Sequence, residues 1–480
     1  MVEHDIDAER VERGSHLTGR QKPTGSTVIV VGAGMAGIAA ARKLQQQGST
    51  VIVLEARTRI GGRVWTDWSW QDVPLDLGAS WINGTIGNPL FHLAQRLDLA
   101  TVTTGYHSSP VIYTSKGEVV PEREQVAIKF RFARIIAALG RKREGIHRDT
   151  SLRKVFDLAC SHPSFSTSQV LLKHLFHTTI EQEYAAEGAD LSLWYWDDPA
   201  EYRGADAMLP AGLGQLVERL AEGLDIRRSH VVTRVEYDCD GVKVLTGKAA
   251  FNAECAVITL PLGVLKNGSV TFSPGLPQRK LASLQKLRMG VLNKLFLRFP
   301  ICFWPIDRDW LEYMDQQPPH WAVWFNYFKY TNAPILVGFD IGADRRSLEN
   351  LPDQEIVATA MNVLHLMFGS TIPTPAAWRM TRWAADPFSF GSYSHTPPGA
   401  SGLDYDVLAE PIGGRLFFAG EGTHRSHYGT VHGAFLSGER AARQIETIKR
   451  TSIRASRAGV APSRRRAANR ASPSSKKLEA

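Results

Sequence analysis

Cysteine, long apolar runs and a biased charge are all scarce in the body of this 480-residue chain. The four cysteines, Cys160, Cys239, Cys255 and Cys302, are scattered and form no CxxC pair, which argues against both a zinc site and a disulfide framework. No apolar run reaches about 18 residues, so no transmembrane helix is expected. The charged start of the chain lacks the apolar core of a secretory signal. Together these absences favour a soluble protein of the reducing cytoplasm.

The formal net charge of +8 comes almost entirely from one end of the chain. Residues 451–480 carry eight basic residues and one acidic residue, which leaves a net charge of +1 for the rest. This segment is rich in Arg, Ser, Ala and Pro and has little to bury, so it is predicted to be disordered. It is either a solubilising end or an electrostatic contact with nucleic acid or an anionic surface. A nucleic-acid partner is otherwise not expected.

A stretch near the N-terminus is typical of a dinucleotide-binding unit. An apolar β-branched run, 28–31, precedes three glycines at GxGxxG spacing, Gly32, Gly34 and Gly37. The first allows a tight turn, the second lets a pyrophosphate approach the backbone, and the third lets a helix pack close to the strand. A helix is predicted over 35–47, with its N-terminal N–H groups facing the phosphates.

The residues after that helix separate FAD from the nicotinamide cofactors. A second predicted strand, 51–54, ends at Glu55, roughly 20 residues past the glycine turn. A carboxylate there can accept both ribose hydroxyls and would repel a 2′-phosphate, so NADP is disfavoured. Arg57 and the run Gly61-Gly62-Arg63 follow, and an extended FAD needs such residues whereas a nicotinamide-only domain does not. An ordinary βαβ turn without a nucleotide is the alternative.

A second glycine-rich segment lies close to the C-terminus. A predicted strand, 416–419, is followed by Gly420-Glu421-Gly422, and Thr430-Val431 then opens a helix. A helix N-terminus presents N–H groups and a partial positive charge, which suits the electron-rich side of a reduced flavin. The alternative is a plain helix capped by Thr430.

Several segments carry a specific family resemblance. EARTRIGGR, which starts at Glu55, resembles the second fingerprint of the FAD-dependent amine oxidases, a superfamily of monoamine, polyamine and L-amino acid oxidases and flavin histone demethylases. FFAGEGTHRSHYGTVHGAFLSG and DLGASWINGTIGNPLFHLA are similar to the C-terminal FAD motif and the active-site loop of spermine and acetylpolyamine oxidases. RMGVLNKLFLRF and TRWAADPFSFGSYS resemble both polyamine oxidases and the lysine-specific histone demethylase.

The similarity runs in order over about residues 26 to 447, and it implies an α/β fold that is α+β overall. A Rossmann-like FAD-binding domain would be interleaved with a mixed sheet-plus-helix substrate domain. The predicted organisation is a polar leader at 1–24, a discontinuous FAD-binding domain at 25–105, 206–290 and 376–450, a substrate domain at 106–205 and 291–375, and the disordered basic tail at 451–480.

The cofactor implied by the resemblance is FAD. Monoamine oxidases carry a cysteine at the position of Ser392 and bind flavin covalently, and because a serine cannot form that thioether, FAD is expected to be non-covalent. The cofactor-binding residues implied by the family are Gly32, Gly34, Gly37, Glu55, Arg57, Gly62, Arg63, Gly78, Ala79, Val232, Trp383, Glu421, Thr430 and Val431.

Lys294 is the residue expected to take part in the chemistry. It lies in an alternating strand in which Leu295, Leu297 and Phe299 point to one face and Lys294 to the other. A lysine inside an apolar strand is costly to bury without a partner. In the family, the matching lysine holds a water against flavin N5, the atom that receives the hydride. The alternative is a lysine that reaches solvent from a strand edge.

Three further residues are expected to contact the substrate. Tyr393 matches the family's aromatic residue that faces the flavin and guides the amine, although it could instead be plain core. Thr430 stands where monoamine oxidases have a second aromatic ring, which favours a longer and more flexible amine over a small aromatic one. Asn83 stands where animal polyamine oxidases have histidine and plant enzymes have an acid, so this position departs from the polyamine pattern.

A Trp- and Tyr-rich stretch contains acidic residues that could receive a second ammonium group, unless they form a solvated loop. They are Glu183, Glu187, Asp197, Asp198 and Glu201. The histidines show no metal spacing, since His424 and His427 are three apart but lie in the predicted FAD loop, and no metal is expected.

The function expected from these features is an FAD-dependent amine oxidase. It would oxidise a primary or secondary, polyamine-like amine to an imine and then an aldehyde, and reduce O2 to H2O2. One alternative is an L-amino acid oxidase, which needs an arginine such as Arg203, Arg298 or Arg379 for the substrate carboxylate. The others are a flavin desaturase or protoporphyrinogen-type oxidase, and a flavin-bearing protein that binds nucleic acid.

Overall fold

The computed structural model describes residues 26–105, 110–161, 169–317, 320–342 and 348–457. The strands are β1 Thr27–Val31, β2 Thr50–Leu54, β3 Thr66–Asp67, β4 Leu75–Asp76, β5 Val102–Thr104, β6 Val111–Thr114, β7 Asp206–Met208, β8 Asp225–Arg227, β9 Val232–Tyr237, β10 Val242–Thr246, β11 Ala250–Ala253, β12 Cys255–Ile258, β13 Thr271–Ser273, β14 Arg288–Met289, β15 Leu292–Arg298, β16 Trp310–Met314, β17 Val323–Asn326, β18 Ile335–Ile341, β19 Ala377–Met380, β20 Ser394–His395 and β21 Leu416–Phe418. The helices are α1 Met35–Gln46, α2 Pro89–Arg96, α3 Glu122–Lys142, α4 Leu152–Cys160, α5 Gln169–Phe176, α6 Gln182–Tyr184, α7 Gly214–Ala221, α8 Leu262–Asn267, α9 Gln278–Lys286, α10 Phe328–Thr331, α11 Asp353–Phe368, α12 Gly402–Ala409 and α13 Val431–Arg457, with a π-helical turn at His177–Glu181 between α5 and α6.

A five-stranded parallel sheet has the order β21-β12-β1-β2-β8, so its strands come from widely separated parts of the chain. The central strand β1 is apolar on both faces, as a parallel strand covered on both sides must be. Val28 and Val30 pack under α1, whereas Ile29 and Val31 pack against a second sheet of order β11-β10-β9-β13. The first and last helices meet on this sheet, since a Cβ on Gly438 of α13 would lie 2.1 Å from the Ala36 carbonyl oxygen of α1.

A six-stranded mixed sheet of order β19-β15-β18-β17-β16-β6 forms the second half of the molecule. The alternation predicted for β15 is present: Leu295 and Leu297 pack toward α11, and Phe296 packs on the opposite face. β19 pairs with β15 through Ala377 to Met380. β19 thus joins this sheet just past the predicted domain boundary at residue 376.

The fold class predicted from the sequence is confirmed, because both sheets and their interleaved order are present. α13 extends to Arg457, seven residues into the segment predicted to be a disordered tail. The rest of that tail and the predicted leader, 1–24, lie outside the described residues. In the part of the chain that the structure describes, no helix combines the length and the apolar character needed to cross a bilayer.

Candidate active site

A single cavity brings together the ends of both glycine-rich segments and the strand that carries Lys294. With one exception, every residue predicted to bind cofactor, to contact substrate or to catalyse lies on its wall. The exception is Gly37, which lies behind the wall, between α1 and β1. The structure thus assembles residues that are up to about 400 positions apart in the sequence.

The first glycine segment shapes one end of the cavity as its spacing predicts. Gly32 has a φ of +103°, which a residue with a side chain rarely adopts. A Cβ on Gly37 would lie 1.9 Å from the Gly32 carbonyl oxygen, so α1 can approach β1 only through a glycine. A Cβ on Gly34 would meet nothing closer than the Gly61 carbonyl oxygen at 3.8 Å, so it would project into open space beside the cavity.

Two helix N-termini point at this cavity. α1 begins at Met35 without any side-chain cap from its N-cap residue, which leaves its first N–H groups to meet an anion. α13 begins at Val431 and is capped by Thr430, whose hydroxyl accepts from Gly433 N at 3.0 Å and donates to His427 O at 2.8 Å. The cap expected as the alternative role of Thr430 is therefore real, and its hydroxyl is already engaged.

The acidic and basic residues at this end are bound to other parts of the protein. One Glu55 oxygen accepts from Ala33 N at 2.7 Å, and the other accepts from Arg57 N at 2.8 Å. The Arg57 guanidinium forms a two-pronged ion pair with Asp386, with distances of 2.8 and 2.6 Å. These bonds fix the orientation of both side chains on the cavity wall.

Glu421 joins the two glycine-rich segments. It accepts from Arg63 at 2.8 Å, from the Ser394 hydroxyl at 2.6 Å and from Gly429 N at 2.9 Å. Burial alone would raise the pKa of this carboxyl, but the Arg63 charge and the hydrogen bonds hold it below its ordinary value. Arg63 also donates to the Ser392 carbonyl at 2.9 Å, which ties the first segment to the strand region near Tyr393.

Lys294 lies on the far wall and is only 5% exposed. Its ammonium donates to the Asp76 carbonyl at 2.9 Å, the Gly78 carbonyl at 2.6 Å and the Ser80 hydroxyl at 2.5 Å. The partners that a buried lysine needs are therefore two backbone carbonyls and one hydroxyl of a single turn. A Cβ on Gly78 would lie 1.9 Å from the Arg63 carbonyl oxygen, so this turn packs tightly on the first segment.

The Asp76 carboxyl lies close to the ammonium and shifts its titration. Burial lowers the pKa of Lys294 to about 8, and the Asp76 charge opposes that shift. Burial likewise raises the pKa of Asp76 to about 6, against the hydrogen bond from Thr66 and the charge of Lys294. The Lys294 ammonium and the Asp76 carboxylate are thus buried together near neutral pH. The sequence analysis did not identify Asp76 as a residue of this site.

Sequence reasoning also missed the aromatic wall beside Lys294. Trp81, Trp310 and Phe339 all line the cavity, and their rings lie within 6.3 Å of one another. The Lys294 ammonium lies 5.5 Å from the Trp81 ring and 6.0 Å from the Phe339 ring. Trp81 falls inside the quoted loop motif, but only the fold brings β16 and β18 to it.

Tyr393 is held by α6, which follows the π-helical turn. Its hydroxyl donates to the Gln182 and Glu183 carbonyls at 3.1 and 3.0 Å. Burial raises the Tyr393 pKa well above its ordinary value, so the side chain stays a neutral wall. Glu183 is exposed and lines the cavity, whereas the other four acids of its stretch do not line it. Asn83 also lines the cavity and is exposed.

A buried carboxylate outside the cavity supports this wall. Glu349 accepts from Asn293 Nδ2 at 2.7 Å, from Ala384 N at 3.0 Å and from Ala385 N at 2.8 Å. Asn293 Oδ1 in turn accepts from Trp383 N at 3.0 Å. Glu349 thus fixes the turn that carries Trp383, next to the strand of Lys294, although no local sequence pattern points to it.

Several predicted alternatives find little support in this geometry. Arg298 pairs with Asp72 and Arg379 with Asp67, and Arg203 is exposed. Within the described ranges, none of the three lies on the cavity wall. The Ser392 hydroxyl bridges to Leu292 N and O, and the four thiols are unpaired and away from the wall. No group of metal-binding side chains is found among the described residues.

Comparison with known families gives a consistent result. The profile of the family described as "flavin containing amine oxidoreductase" matches residues 35–446. Lysine-specific histone demethylase 1 homolog 3 of Oryza sativa subsp. japonica is 39% identical over 439 residues, which are 88% of this chain and 54% of that protein. Protein FLOWERING LOCUS D of Arabidopsis thaliana is 36% identical over 447 residues, or 89% of this chain and 56% of that protein.

This chain thus spans about half the length of the curated relatives it matches. Among solved structures, a putrescine oxidase redesigned in its cofactor binding matches with a TM-score of 0.72. The match covers 88% of this chain and 99% of that chain at 20% identity, which establishes a common fold.

Proposed function

Because the chain belongs to the family of flavin-containing amine oxidoreductases, we propose that it is an FAD-dependent amine oxidase. The observation that carries this proposal is the buried Lys294 on the same cavity wall as both glycine-rich segments. The reaction would convert a primary or secondary amine to an imine. Water then hydrolyses the imine to an aldehyde, with release of ammonia from a primary amine or of a smaller amine from a secondary one. O2 would be the electron acceptor and H2O2 the second product.

The residues of the cavity fit an extended dinucleotide. The space beside Gly34 and the uncapped start of α1 would hold the pyrophosphate, and Glu55 would accept from a ribose. The start of α13 would face the flavin ring, consistent with its partial positive charge. Bound FAD supplies the hydride acceptor. Non-covalent attachment is supported by Ser392 and by the absence of a cysteine from the described cavity wall.

Lys294 would act by holding a proton donor near the cofactor. All three N–H groups of its ammonium already donate to protein oxygens. To hold a water, it would exchange the bond to Ser80, because that hydroxyl can rotate whereas the Asp76 and Gly78 carbonyls cannot. The aromatic wall excludes bulk water, which favours the unprotonated amine that the reaction needs.

The preferred substrate would be an amine on a long aliphatic chain. Trp81, Trp310 and Phe339 offer apolar contact, and Tyr393 is fixed as a wall. The exposed Glu183 carboxylate lines the same cavity and would attract a second cationic group. Asn83 and Thr430 contribute no charge, and the Thr430 hydroxyl is used as a helix cap.

Anaerobic mixing with a panel of amines tests this proposal. The flavin of the FAD-loaded full chain should bleach with one or more of spermine, spermidine, putrescine and acetylated polyamines, and more slowly with a small aromatic monoamine. Admission of O2 should restore the absorbance and release H2O2. If no amine bleaches the flavin, the oxidase proposal fails, and bleaching by amino acids alone would favour the L-amino acid oxidase.

A second candidate is oxidation of an N-methyl-lysine side chain. It is favoured by the relatives named lysine-specific histone demethylase, one of which is 39% identical. Oxidation of the N-methyl group would release formaldehyde and the amine, whereas polyamine oxidation releases an aminoaldehyde. A methyl-lysine peptide in the same panel, with formaldehyde detection, separates the two substrates. A cytoplasmic location remains a prediction for either.

A further inference from the structure

The solvent face of α3 carries an unusual row of residues. Arg123, Ala127, Phe130, Arg134, Ala137 and Arg141 follow one another at intervals of three or four, and all six are exposed. Residues so spaced lie on one side of a helix. The opposite side, which includes Ile128, Ile135 and Leu139, is buried in the helical core with α4 and α5.

The arginines of this row lack carboxylate partners. Among the described residues, neither Arg123 nor Arg134 nor Arg141 forms an ion pair, whereas other surface arginines commonly do, such as Arg279 with Glu410. From Gln125 to Arg143 the sequence contains no acidic residue. The row is therefore a strip of positive charge about 27 Å long, at about 1.5 Å per residue. Within α3, acidic residues stand beside its first arginine alone, at Glu122 and Glu124.

The centre of the strip is Phe130, which is 71% exposed. No other large apolar side chain in the described part of the chain is more exposed. Leaving a phenyl ring in water forgoes the benefit of burying it, and small alanines on either side leave its face open. An aromatic ring flanked by arginines is the arrangement on which unpaired bases stack while their phosphates are neutralised.

We propose that this face of α3 binds single-stranded nucleic acid, with base stacking on Phe130 and phosphate contacts from the three arginines. A membrane surface fits less well, because an interfacial helix inserts a broad apolar face, and the broad apolar face of α3 is already buried. A duplex would gain the charge contacts but would offer Phe130 no unstacked base. This surface uses no residue of segment 451–480, and the proposal does not depend on the oxidase proposal.

Fluorescence anisotropy of a labelled single-stranded oligonucleotide across a salt series tests the proposal with the full chain. Replacing Arg123, Arg134 and Arg141 by alanine should weaken binding at least about tenfold near physiological salt and reduce the salt slope by about 2. Phe130→Ala should cost about tenfold with an unchanged slope. The matched control replaces three exposed arginines elsewhere, Arg96, Arg228 and Arg308, and should bind nearly as the parent does.

The remaining outcomes overturn the proposal. If the parent chain binds no oligonucleotide, or if the strip variant and its control bind equally, α3 is not the contact. If duplex and single strand bind equally and Phe130→Ala has no effect, stacking is wrong. If replacing the three arginines weakens binding to vesicles of anionic lipid but not to the oligonucleotide, the surface faces a membrane. Circular dichroism and melting temperature confirm that every variant is folded.

Discussion

The two ends of the cavity are held in different ways. At the end next to α1, the shape depends on backbone: Gly32 and Gly37 let strand and helix meet, and the nearby charges are paired within the protein. At the other end, the shape depends on side chains, with Lys294 donating into a turn beneath an aromatic wall. A substitution at the backbone-built end should therefore lower both stability and FAD binding. A substitution at the side-chain-built end should slow the reaction while the protein stays folded.

The largest effect is expected from Gly37→Ala. Its new Cβ would lie 1.9 Å from the Gly32 carbonyl oxygen, so α1 must move off β1. Overpacking of this kind typically costs about 1–3 kcal/mol, and the displaced helix start should no longer bind FAD. Melting of the FAD-free protein and titration with FAD measure both effects.

Gly34→Ala is the matched control for that experiment, because its Cβ meets nothing closer than 3.8 Å. It should melt like the parent without FAD and yet bind FAD more weakly. Equal behaviour of the two variants would show that the contact at Gly37 does not decide the shape of this end.

Lys294→Met should leave the protein folded and loaded with FAD but slow flavin reoxidation by about 100-fold, the scale typical of a lost proton donor. Stopped-flow mixing of the reduced enzyme with O2 measures that rate. Lys280→Met provides the control, since Lys280 is also buried and donates to three carbonyls but does not line the cavity. It should lower the melting temperature without changing the rate per bound flavin.

If the Lys294 variant reoxidises at the parent rate, the lysine is structural, and the two ends of the cavity are alike. A loss of FAD from this variant would equally contradict the expected separation between fold and chemistry.

Glu349→Gln should have an intermediate effect. The carboxylate accepts two backbone N–H groups and one amide N–H, and an amide nitrogen in its place would face donors. Trp383 should shift, and turnover per bound flavin should fall about tenfold with an altered flavin spectrum. Asp353→Asn, which removes an exposed partner of Arg382, serves as the control and should change neither the turnover nor the flavin spectrum. An unchanged spectrum in Glu349→Gln would exclude positioning of Trp383 by this network.

Asp76→Asn should give the smallest effect, a shift in pH dependence. The Asp76 charge raises the pKa of Lys294, which burial lowers to about 8. Without it, that pKa should fall further, so the alkaline decline in reoxidation should move about one unit toward lower pH. Asp72→Asn, in an exposed ion pair with Arg298, should leave the profile unchanged. If the alkaline decline in the reoxidation rate moved to higher pH instead, Lys294 would not act as an ammonium in this step.

The sequence predicts the first end of the cavity well because its requirements are local. Gly32 and Gly37 lie within one turn and one helix, so spacing alone indicates the close packing that the structure contains. The motif at Glu421 could be recognised as well, although its ion pair with Arg63 spans 358 residues and depends on the fold.

The second end was predicted only in outline. The strand pattern indicates that Lys294 is buried and needs a partner, but the partners are carbonyls of residues 76 and 78, and a carbonyl leaves no trace in sequence. Trp310 and Phe339 look like ordinary core residues until β16 and β18 are placed beside β15. Glu349 gives no sequence signal, because its ligands are mainly backbone N–H groups.

The crossing of α13 over α1 bears on how the protein is made. Gly438 packs against Ala36, so α1, which follows the first glycines, is covered in part by α13, the last described helix. On the ribosome, the N-terminal strand and helix emerge long before the strand and helix that complete their sheet. Domains fold as units during synthesis, so this one cannot close until about residue 440 has left the exit tunnel. We therefore expect nascent chains to bind flavin only after α13 has emerged, so a lack of flavin would not affect the earlier stages of synthesis.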